Sequence, residues 1–214
     1  TRLRPLSTRR IYPPVKALYF GLTLAGLSLI TSYMINPLSF ILMTVGLADN
    51  IIVYSMFLKR RNPVSIILGG FSGGMPTLIG YASITNRIDL ISITMAGLVV
   101  LWIPSHIWSL ALRCREDYQR ANIPMLPVVT GESKAVRCIA STSILMVLFT
   151  IIPFILGAFG PVYLYTAVAL GVMMLTISFW LMVKPSGRRA WLLFKFSSPY
   201  LALIFTAMII DTFI

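Results

Sequence analysis

The sequence predicts an all-α, polytopic membrane helix bundle. Hydrophobic residues make up 57% of the chain and charged residues only 11%, and the mean hydropathy is +0.87, which lies outside the range of soluble domains. Apolar stretches of about 20 residues, each long enough to cross a bilayer, recur along the chain. The basic residues are concentrated in alternate connections between these stretches, as membrane proteins require.

Seven apolar stretches are predicted to be spanning helices within a single transmembrane domain, residues 1–214. Their lengths match the hydrocarbon thickness of a bilayer, and the turns between them contain proline, glycine or charged residues. The predicted helices are 13–33, 37–57, 64–84, 89–112, 135–155, 161–183 and 191–211.

The charge pattern orients the chain. The net charge is +12, but its distribution follows the helix ends and therefore indicates membrane topology rather than nucleic-acid binding. The positive-inside rule predicts a cell-membrane protein with a cytoplasmic N-terminus and an external C-terminus. Basic residues lie near the first helix and after the second, fourth and sixth helices: Arg2, Arg4, Arg9, Arg10, Lys16, Lys59, Arg60, Arg61, Arg113, Arg115, Arg120, Lys134, Lys184, Arg188, Arg189 and Lys195.

The second helix carries an acidic residue deep within an apolar stretch. Asp49 is expensive to bury as an ion, so we expect it to be protonated, paired with Asn50 or a basic partner, or facing a wet cavity. Asn50 and Tyr54 are four residues apart and can extend a polar stripe toward Lys59. Structural and functional interpretations of Asp49 both remain open at this point.

The third helix contains two overlapping pairs of small residues, Gly69 with Gly73 and Gly70 with Gly74. Such pairs allow neighbouring backbones to approach closely, which favours a role in helix packing. A bend at Pro76, farther along the same helix, would instead favour a ligand cavity.

The fourth helix combines a proline with a polar stripe. Pro104 removes one backbone donor. If the helix continues to Asp117, then Trp102, His106, Arg113 and Asp117 fall on one face. His106 is either hydrogen-bonded to a neighbouring helix or part of a ligand pocket, and the cost of an ionisable group in the membrane favours the pocket.

The polar segment 113–130 follows this helix and is the predicted location of chemistry. Acidic residues beside arginines at one membrane surface suggest a charged ligand. Lys59, Arg60, Arg113 and Arg115 can neutralise such an anion, although basic residues at cytoplasmic helix ends also anchor topology and contact lipid headgroups. For Arg188 and Arg189 the anchoring interpretation is favoured.

Several motifs recur along nearly the whole chain, and the proline-rich block after the Asp-Tyr pair is the most specific of them. They are Leu58-Lys59-Arg60, Gly69-Gly70, Gly73-Gly74, Pro76, Leu78-Ile79-Gly80, Trp102, Pro104, His106, Trp108, Leu110-Ala111, Asp117-Tyr118, Ile123-Pro124-Met125-Leu126-Pro127-Val128-Val129 and Gly131. Together they resemble the protoheme IX farnesyltransferases, the heme O synthase branch of the intramembrane aromatic prenyltransferases.

The resemblance implies transfer of a farnesyl group from farnesyl diphosphate to a vinyl group of heme B, giving heme O for heme-copper oxidases. It implies Mg²⁺ held between two acidic motifs. Here Asp117 and Glu116 are the expected metal ligands. The expected catalytic residues are Asp117, Lys59 and Arg113, and the expected substrate-binding residues are Arg60, Arg115, His106, Trp102, Tyr118, Asp49 and Tyr54.

The chain departs from this family at its start. Family members have about nine spanning helices, and the opening Thr1–Leu6 resembles the segment just after their first acidic motif. We therefore expect an N-terminally incomplete domain with little activity alone, whose missing helices a separate polypeptide could supply. The alternatives are a small membrane transporter using Asp49 and the proline-broken fourth helix, or a noncatalytic heme-binding or assembly protein.

Overall fold

The structure is a computed structural model that describes residues 15–214. Within this range the chain forms helices and connecting turns and contains no β-strand. Two sequence predictions lie outside the described residues: the basic cluster before the first helix, Arg2, Arg4, Arg9 and Arg10, and the family resemblance at residues 1–6. The predicted fold class, an all-α polytopic membrane bundle, is confirmed.

Ten α-helices and one π-helical segment follow one another along residues 15–214. The π-helical segment Asp49–Leu58 continues directly from α2. The α-helices are α1 Val15–Ile35, α2 Pro37–Ala48, α3 Ser65–Thr85, α4 Leu90–Arg113, α5 Arg115–Arg120, α6 Leu126–Val129, α7 Glu132–Thr150, α8 Ile152–Ile155, α9 Pro161–Val183 and α10 Gly187–Thr212.

Six helical stretches among the described residues are long and apolar enough to cross a membrane: α1, α2 with its π-helical continuation, α4, α7 with α8, α9 and α10. The seventh predicted span, 64–84, forms as α3. Its 21 residues are sufficient in length, but its glycines and serines make it less apolar than the other six. This composition suits a helix packed between other helices.

The predicted boundaries differ from the observed ones where local chemistry intervenes. The helix predicted at 191–211 begins at Gly187, because the Ser186 hydroxyl accepts a hydrogen bond from the Arg189 amide at 3.3 Å and caps it. The helix predicted at 135–155 is interrupted between α7 and α8 at Ile151, two residues before Pro153, whose ring disfavours an unbroken helix.

Helix α4 is the centre of the packing. It packs against α3, α7 and α10, while α9 packs against α7 and α10, and α1 and α2 follow on the side of α3. The large apolar core accordingly joins α4, α7, α9 and α10, with fully buried members such as Leu98, Ile139, Met174 and Ile204. Helix α4 is thereby held between three neighbours.

The glycines of α3 allow this helix to approach α4 closely. A Cβ built on Gly74 would lie 2.8 Å from Val100 Cγ2 and 3.0 Å from the Ala96 carbonyl oxygen. Gly70 likewise faces the Val100 carbonyl at 3.6 Å. Gly70 and Gly74 therefore serve helix packing, at the contact between α3 and α4.

The π-helical segment changes the geometry expected around Asp49. The Lys59 amide donates to the Tyr54 carbonyl five residues earlier at 2.8 Å, so the regular spacing assumed for this stripe does not apply. Asp49 accepts a hydrogen bond from the Ser72 amide of α3 at 3.1 Å, and Asn50 donates to the Ser72 hydroxyl at 3.4 Å. The predicted pairing of Asp49 with Asn50 or a basic residue is replaced by this contact with α3.

The helix predicted to continue through Asp117 breaks at Cys114. Cys114 has φ −104° and ψ 28°, outside helical geometry, and α5 begins at the next residue. The Asp117 amide donates to the Cys114 carbonyl at 3.0 Å. The condition for a single stripe from Trp102 to Asp117, an unbroken helix, is therefore not met, because the polar segment turns where α4 ends.

Candidate active site

A charged cleft lies where α4 ends and α10 begins. Its volume is about 810 Å³, and it is open to its surroundings. Its lining combines α5 with the last turn of α4 and one aromatic residue of α10: Leu112, Arg113, Cys114, Arg115, Glu116, Asp117, Gln119 and Trp191. Four of the residues predicted for the site, Arg113, Arg115, Glu116 and Asp117, are thus brought together.

Arg113 lies against the start of α10. A Cβ built on Gly187 would lie 3.4 Å from Arg113 Cδ and 3.7 Å from its Nη1, so the guanidinium packs where α10 presents only backbone. The side chain of Arg113 is otherwise exposed, and Arg115 is half-buried. Two guanidinium groups therefore lie in the cleft and can donate to oxygens of an anion.

The two acidic residues of the cleft differ in their contacts. Glu116 forms an ion pair with Arg120 at 3.3 Å, which occupies one of its oxygens. The Asp117 carboxylate is exposed, and within residues 15–214 no hydrogen bond or ion pair engages it. Asp117 is therefore the better of the two candidates for binding a cation.

Residues 15–214 contain no cluster of three or more histidine, cysteine or acidic side chains able to hold a metal by themselves. Mg²⁺ commonly uses one or two carboxylates together with substrate phosphates and water. The donor set of Asp117, with Glu116 beside it, fits that kind of site and does not fit a closed protein cage.

Lys59 and Arg60 do not line this cleft. The Lys59 ammonium lies 5.6 Å from the centroid of the Tyr54 ring, and Arg60 is exposed. Tyr54 packs against the apolar core, and its ring covers Gly69 of α3. Tyr54 and Asp49 contact α3, and Lys59 lies beside Tyr54. The proposed ligand roles of Tyr54, Asp49, Lys59 and Arg60 stay predictions.

His106 is hydrogen-bonded to a neighbouring helix, which was one of its two sequence-based interpretations. Its Nδ1 lies 2.7 Å from the Ser197 hydroxyl of α10, and the side chain is 9% exposed. Trp102 donates from Nε1 to the Ser197 carbonyl at 2.7 Å. Both side chains are thus hydrogen-bonded to α10. A ligand role for His106 and Trp102 stays a prediction.

An aromatic stack connects this buried region to the cleft. The centroids of Trp102 and His106 are 4.2 Å apart, those of His106 and Phe194 are 4.3 Å apart, and those of Phe194 and Trp191 are 5.0 Å apart. Trp191 lines the cleft at the end of the stack. Trp191, Phe194 and Ser197 are functional-site residues that were not predicted from the sequence, although their spacing of three residues along α10 indicates a shared helix face.

Tyr118 completes the set of predicted residues. Its side chain is half-buried and packs against the apolar core, and its carbonyl accepts from the Ile123 amide at 3.0 Å. Asn122, with φ 53°, ends the helical turn in the left-handed region that asparagine tolerates. The Asp-Tyr pair is thus held against the proline-rich block 123–131.

The fold and the cleft define a polytopic membrane protein that presents cations and carboxylates at one end of an apolar helix bundle. The model of the UbiA prenyltransferase family matches residues 1–203. The chain belongs to this family, as the sequence resemblance predicted.

Curated relatives specify the branch of the family. The chain is 46% identical over 214 residues to a protoheme IX farnesyltransferase of Desulforudis audaxviator, covering 100% of this chain and 68% of that protein. It is 42% identical to protoheme IX farnesyltransferase 2 of Cenarchaeum symbiosum, covering 99% of this chain and 73% of that protein. The enzyme of Thermoplasma volcanium is also 42% identical, with 98% and 73% covered.

A solved structure supports the fold independently. A digeranylgeranylglyceryl phosphate synthase superimposes with a TM-score of 0.81 over 98% of this chain and 73% of that one, at 21% sequence identity. At this identity the likeness establishes the architecture of the bundle alone.

Proposed function

We propose that the protein is a protoheme IX farnesyltransferase, which transfers a farnesyl group from farnesyl diphosphate to a vinyl group of heme B and so forms heme O. The observation that supports this function most directly is the cleft itself. In it the carboxylate of Asp117, which has no hydrogen bond or ion pair within residues 15–214, lies beside Arg113 and Arg115 at the end of an apolar bundle. Farnesyl diphosphate has a long apolar chain, which suits the apolar bundle, and an anionic diphosphate head, which suits the charged cleft at its end.

The reaction forms one carbon–carbon bond and breaks one carbon–oxygen bond. The terminal vinyl carbon of heme bonds to the allylic carbon of farnesyl, and diphosphate leaves with the electron pair of the broken bond. Water captures the resulting cation on the heme side chain and loses a proton. Arg113 and Arg115 would donate hydrogen bonds to the diphosphate oxygens as negative charge accumulates there.

The family uses a divalent metal for its diphosphate substrate, and we propose that this metal is Mg²⁺. Asp117, with Glu116 beside it, would hold the ion together with diphosphate oxygens. When bound, the ion would offset the charge of the leaving group. Because the cytoplasmic acids of the 214 residues are only Glu116, Asp117 and Glu132, we propose that a second acidic cluster comes from polypeptide outside this sequence, in the same or a separate chain.

The substitution Asp117→Asn, made in the full-length protein, tests whether the Asp117 carboxylate binds the metal ion. The amide lacks the charge that a hard cation requires, so we expect heme O formation to fall by about a hundredfold or more, with unchanged amounts of protein in the membrane. Heme O and heme B are separated by chromatography. Glu132→Gln is the matched control, because Glu132 is also an exposed acid but lies outside the cleft. Near-normal turnover of the Asp117 variant at low Mg²⁺ would make Asp117 structural.

We further propose that residues 1–214 form one domain of a cell-membrane protein and that the cleft faces the cytoplasm. The basic residues at the ends of the helices support this orientation. Single cysteines introduced at Arg60, Arg120 and Arg188, after replacement of Cys114 and Cys138 by serine, should react with impermeant maleimide only from the cytoplasmic side. Labelling of any one of them from outside contradicts the orientation.

Among the described residues no specific contact favours a transporter. The fourth helix is continuous from Leu90 to Arg113 despite Pro104, and Asp49 is bound by the backbone of α3. Farnesyl transfer therefore remains the single proposed activity.

A further inference from the structure

A second cavity adjoins the charged cleft on the other side of Trp191. Its volume is about 480 Å³, and it lies where α9 ends and α10 begins. Its lining consists of aromatic, basic and small residues: Trp180, Ser186, Arg188, Arg189, Trp191, Leu192 and Lys195. Trp191 also lines the first cleft, so one indole separates the two cavities.

The two cavities differ in the charged residues that line them. The second cavity presents Arg188, Arg189 and Lys195 and has no acidic residue in its lining, whereas the first contains Glu116 and Asp117. A site without carboxylates has no negatively charged ligand for a hard cation. The second cavity is therefore suited to an anion that binds directly to guanidinium and ammonium groups.

Arg189 is held in place before any ligand binds. Its Nη1 donates to the Lys184 carbonyl at 2.5 Å, and its guanidinium carbon lies 4.6 Å from the centroid of the Trp180 ring. Its Nε is buried without a hydrogen-bond partner in the described structure. A cation fixed in this way loses little freedom when an anion binds.

Arg188 and Lys195 extend the positive surface along α10. They are seven residues apart, which places them on one face of the helix about 10 Å apart along its axis. Both side chains are exposed, and Leu192 lies between them on the same face. Two separated cations with an apolar surface between them match a flat ligand that carries two carboxylates.

We infer that this basic pocket binds the propionate carboxylates of heme B, an inference that rests on the proposed farnesyl transfer. Heme B carries its two propionates on the edge of the macrocycle opposite its two vinyl groups. Arg188, Arg189 and Lys195 bind the propionate edge, and the vinyl edge then points past Trp191 toward the cleft that holds the diphosphate. The pocket thereby orients the macrocycle for reaction at a vinyl carbon.

An aromatic stack holds Trp191, which lines the basic pocket, in position. Trp191 stacks on Phe194 at 5.0 Å, and Phe194 stacks on His106 at 4.3 Å. The indole that divides the two cavities is therefore braced by the core, and Trp180 supplies a second aromatic surface in the pocket. Flat aromatic surfaces suit a planar macrocycle.

The test measures heme binding rather than turnover. Heme B is titrated by its absorbance into the purified full-length protein in phosphatidylcholine nanodiscs, alongside heme B dimethyl ester, whose propionates carry no charge. We expect the double variant Arg188→Gln/Lys195→Gln to bind heme B at least about tenfold more weakly. The ester should bind wild type and variant equally. Arg87→Gln, a removal of positive charge at the other end of the bundle, should change nothing.

Four results would overturn the inference. Unchanged heme B affinity in the double variant, or equal affinities of wild type for heme B and its ester, would show that the propionates do not use this pocket. A defect that appears only in nanodiscs containing phosphatidylglycerol would assign the pocket to lipid phosphate. Absence of heme binding by the wild type would refute the proposed function as well, whereas the first three results leave it intact.

Discussion

The α3–α4 contact permits a sharp test, because two glycines on one helix differ only in what surrounds them. In Gly74→Ala the new methyl would lie 2.8 Å from Val100 Cγ2 and 3.0 Å from the Ala96 carbonyl oxygen. The valine can rotate, but the carbonyl belongs to the backbone of α4, so the helices must separate. Overpacking of this kind costs about 1–3 kcal/mol, from which the better helix propensity of alanine subtracts about 1 kcal/mol.

The expected net loss for Gly74→Ala is therefore about 0–2 kcal/mol relative to the wild type, and about 1–3 kcal/mol relative to a glycine of the same helix at which alanine meets no neighbour. Gly80→Ala is the matched control, since a Cβ at Gly80 meets no atom within 4 Å, and it should leave the free energy of unfolding unchanged or raise it. Both variants are compared with the wild type by reversible unfolding in mixed detergent micelles. If Gly74→Ala is as stable as Gly80→Ala, close approach of the two helices is not what Gly74 provides.

Two further predictions concern polar contacts. The pKa of Asp89 is lowered, chiefly by the hydrogen bond that the Tyr81 hydroxyl donates to it at 2.5 Å and then by the Ser92 amide. Its stabilising contribution is therefore present above the unfolded-state pKa and lost as the pH falls through the folded one. Asp89→Asn, which retains a capping oxygen, should flatten the dependence of melting temperature on pH below about 4; an unchanged slope contradicts this. His106→Phe and Ser197→Ala remove the two sides of one buried hydrogen bond, so a double-mutant cycle on unfolding should give a coupling of about 1 kcal/mol, and additive effects would show that the contact contributes nothing.

The sequence predicted the number and approximate ends of the long helices because hydropathy and length follow directly from the bilayer. The α9 range, 161–183, coincided with prediction, since Gly160 and Pro161 mark its start in the sequence. The break at Cys114 was not predictable from periodicity. No proline or glycine lies at or beside Cys114 to mark the end of a helix. Its dihedral angles depend on how α5 and the block 123–131 pack.

The members of the candidate site were predictable only where they are neighbours in the sequence. Arg113, Arg115, Glu116 and Asp117 lie within five residues, and one cleft contains them all. Lys59 joins the surroundings of Tyr54 instead, because helix order along the chain does not determine which helix ends meet. Trp191 enters the cleft through the packing of α10 on α4, a contact between distant segments that no local pattern encodes.

The position of α4 between three other helices also limits how its sequence can change. Its buried side chains include many small residues, among them Ser92, Ala96, Ser105, Ser109 and Ala111, which are the sizes that permit close approach from several directions. A larger residue on one face displaces α3, and on another face it displaces α7 or α10. We therefore expect α4 to accept a larger side chain only together with a smaller partner across the contact that it enlarges.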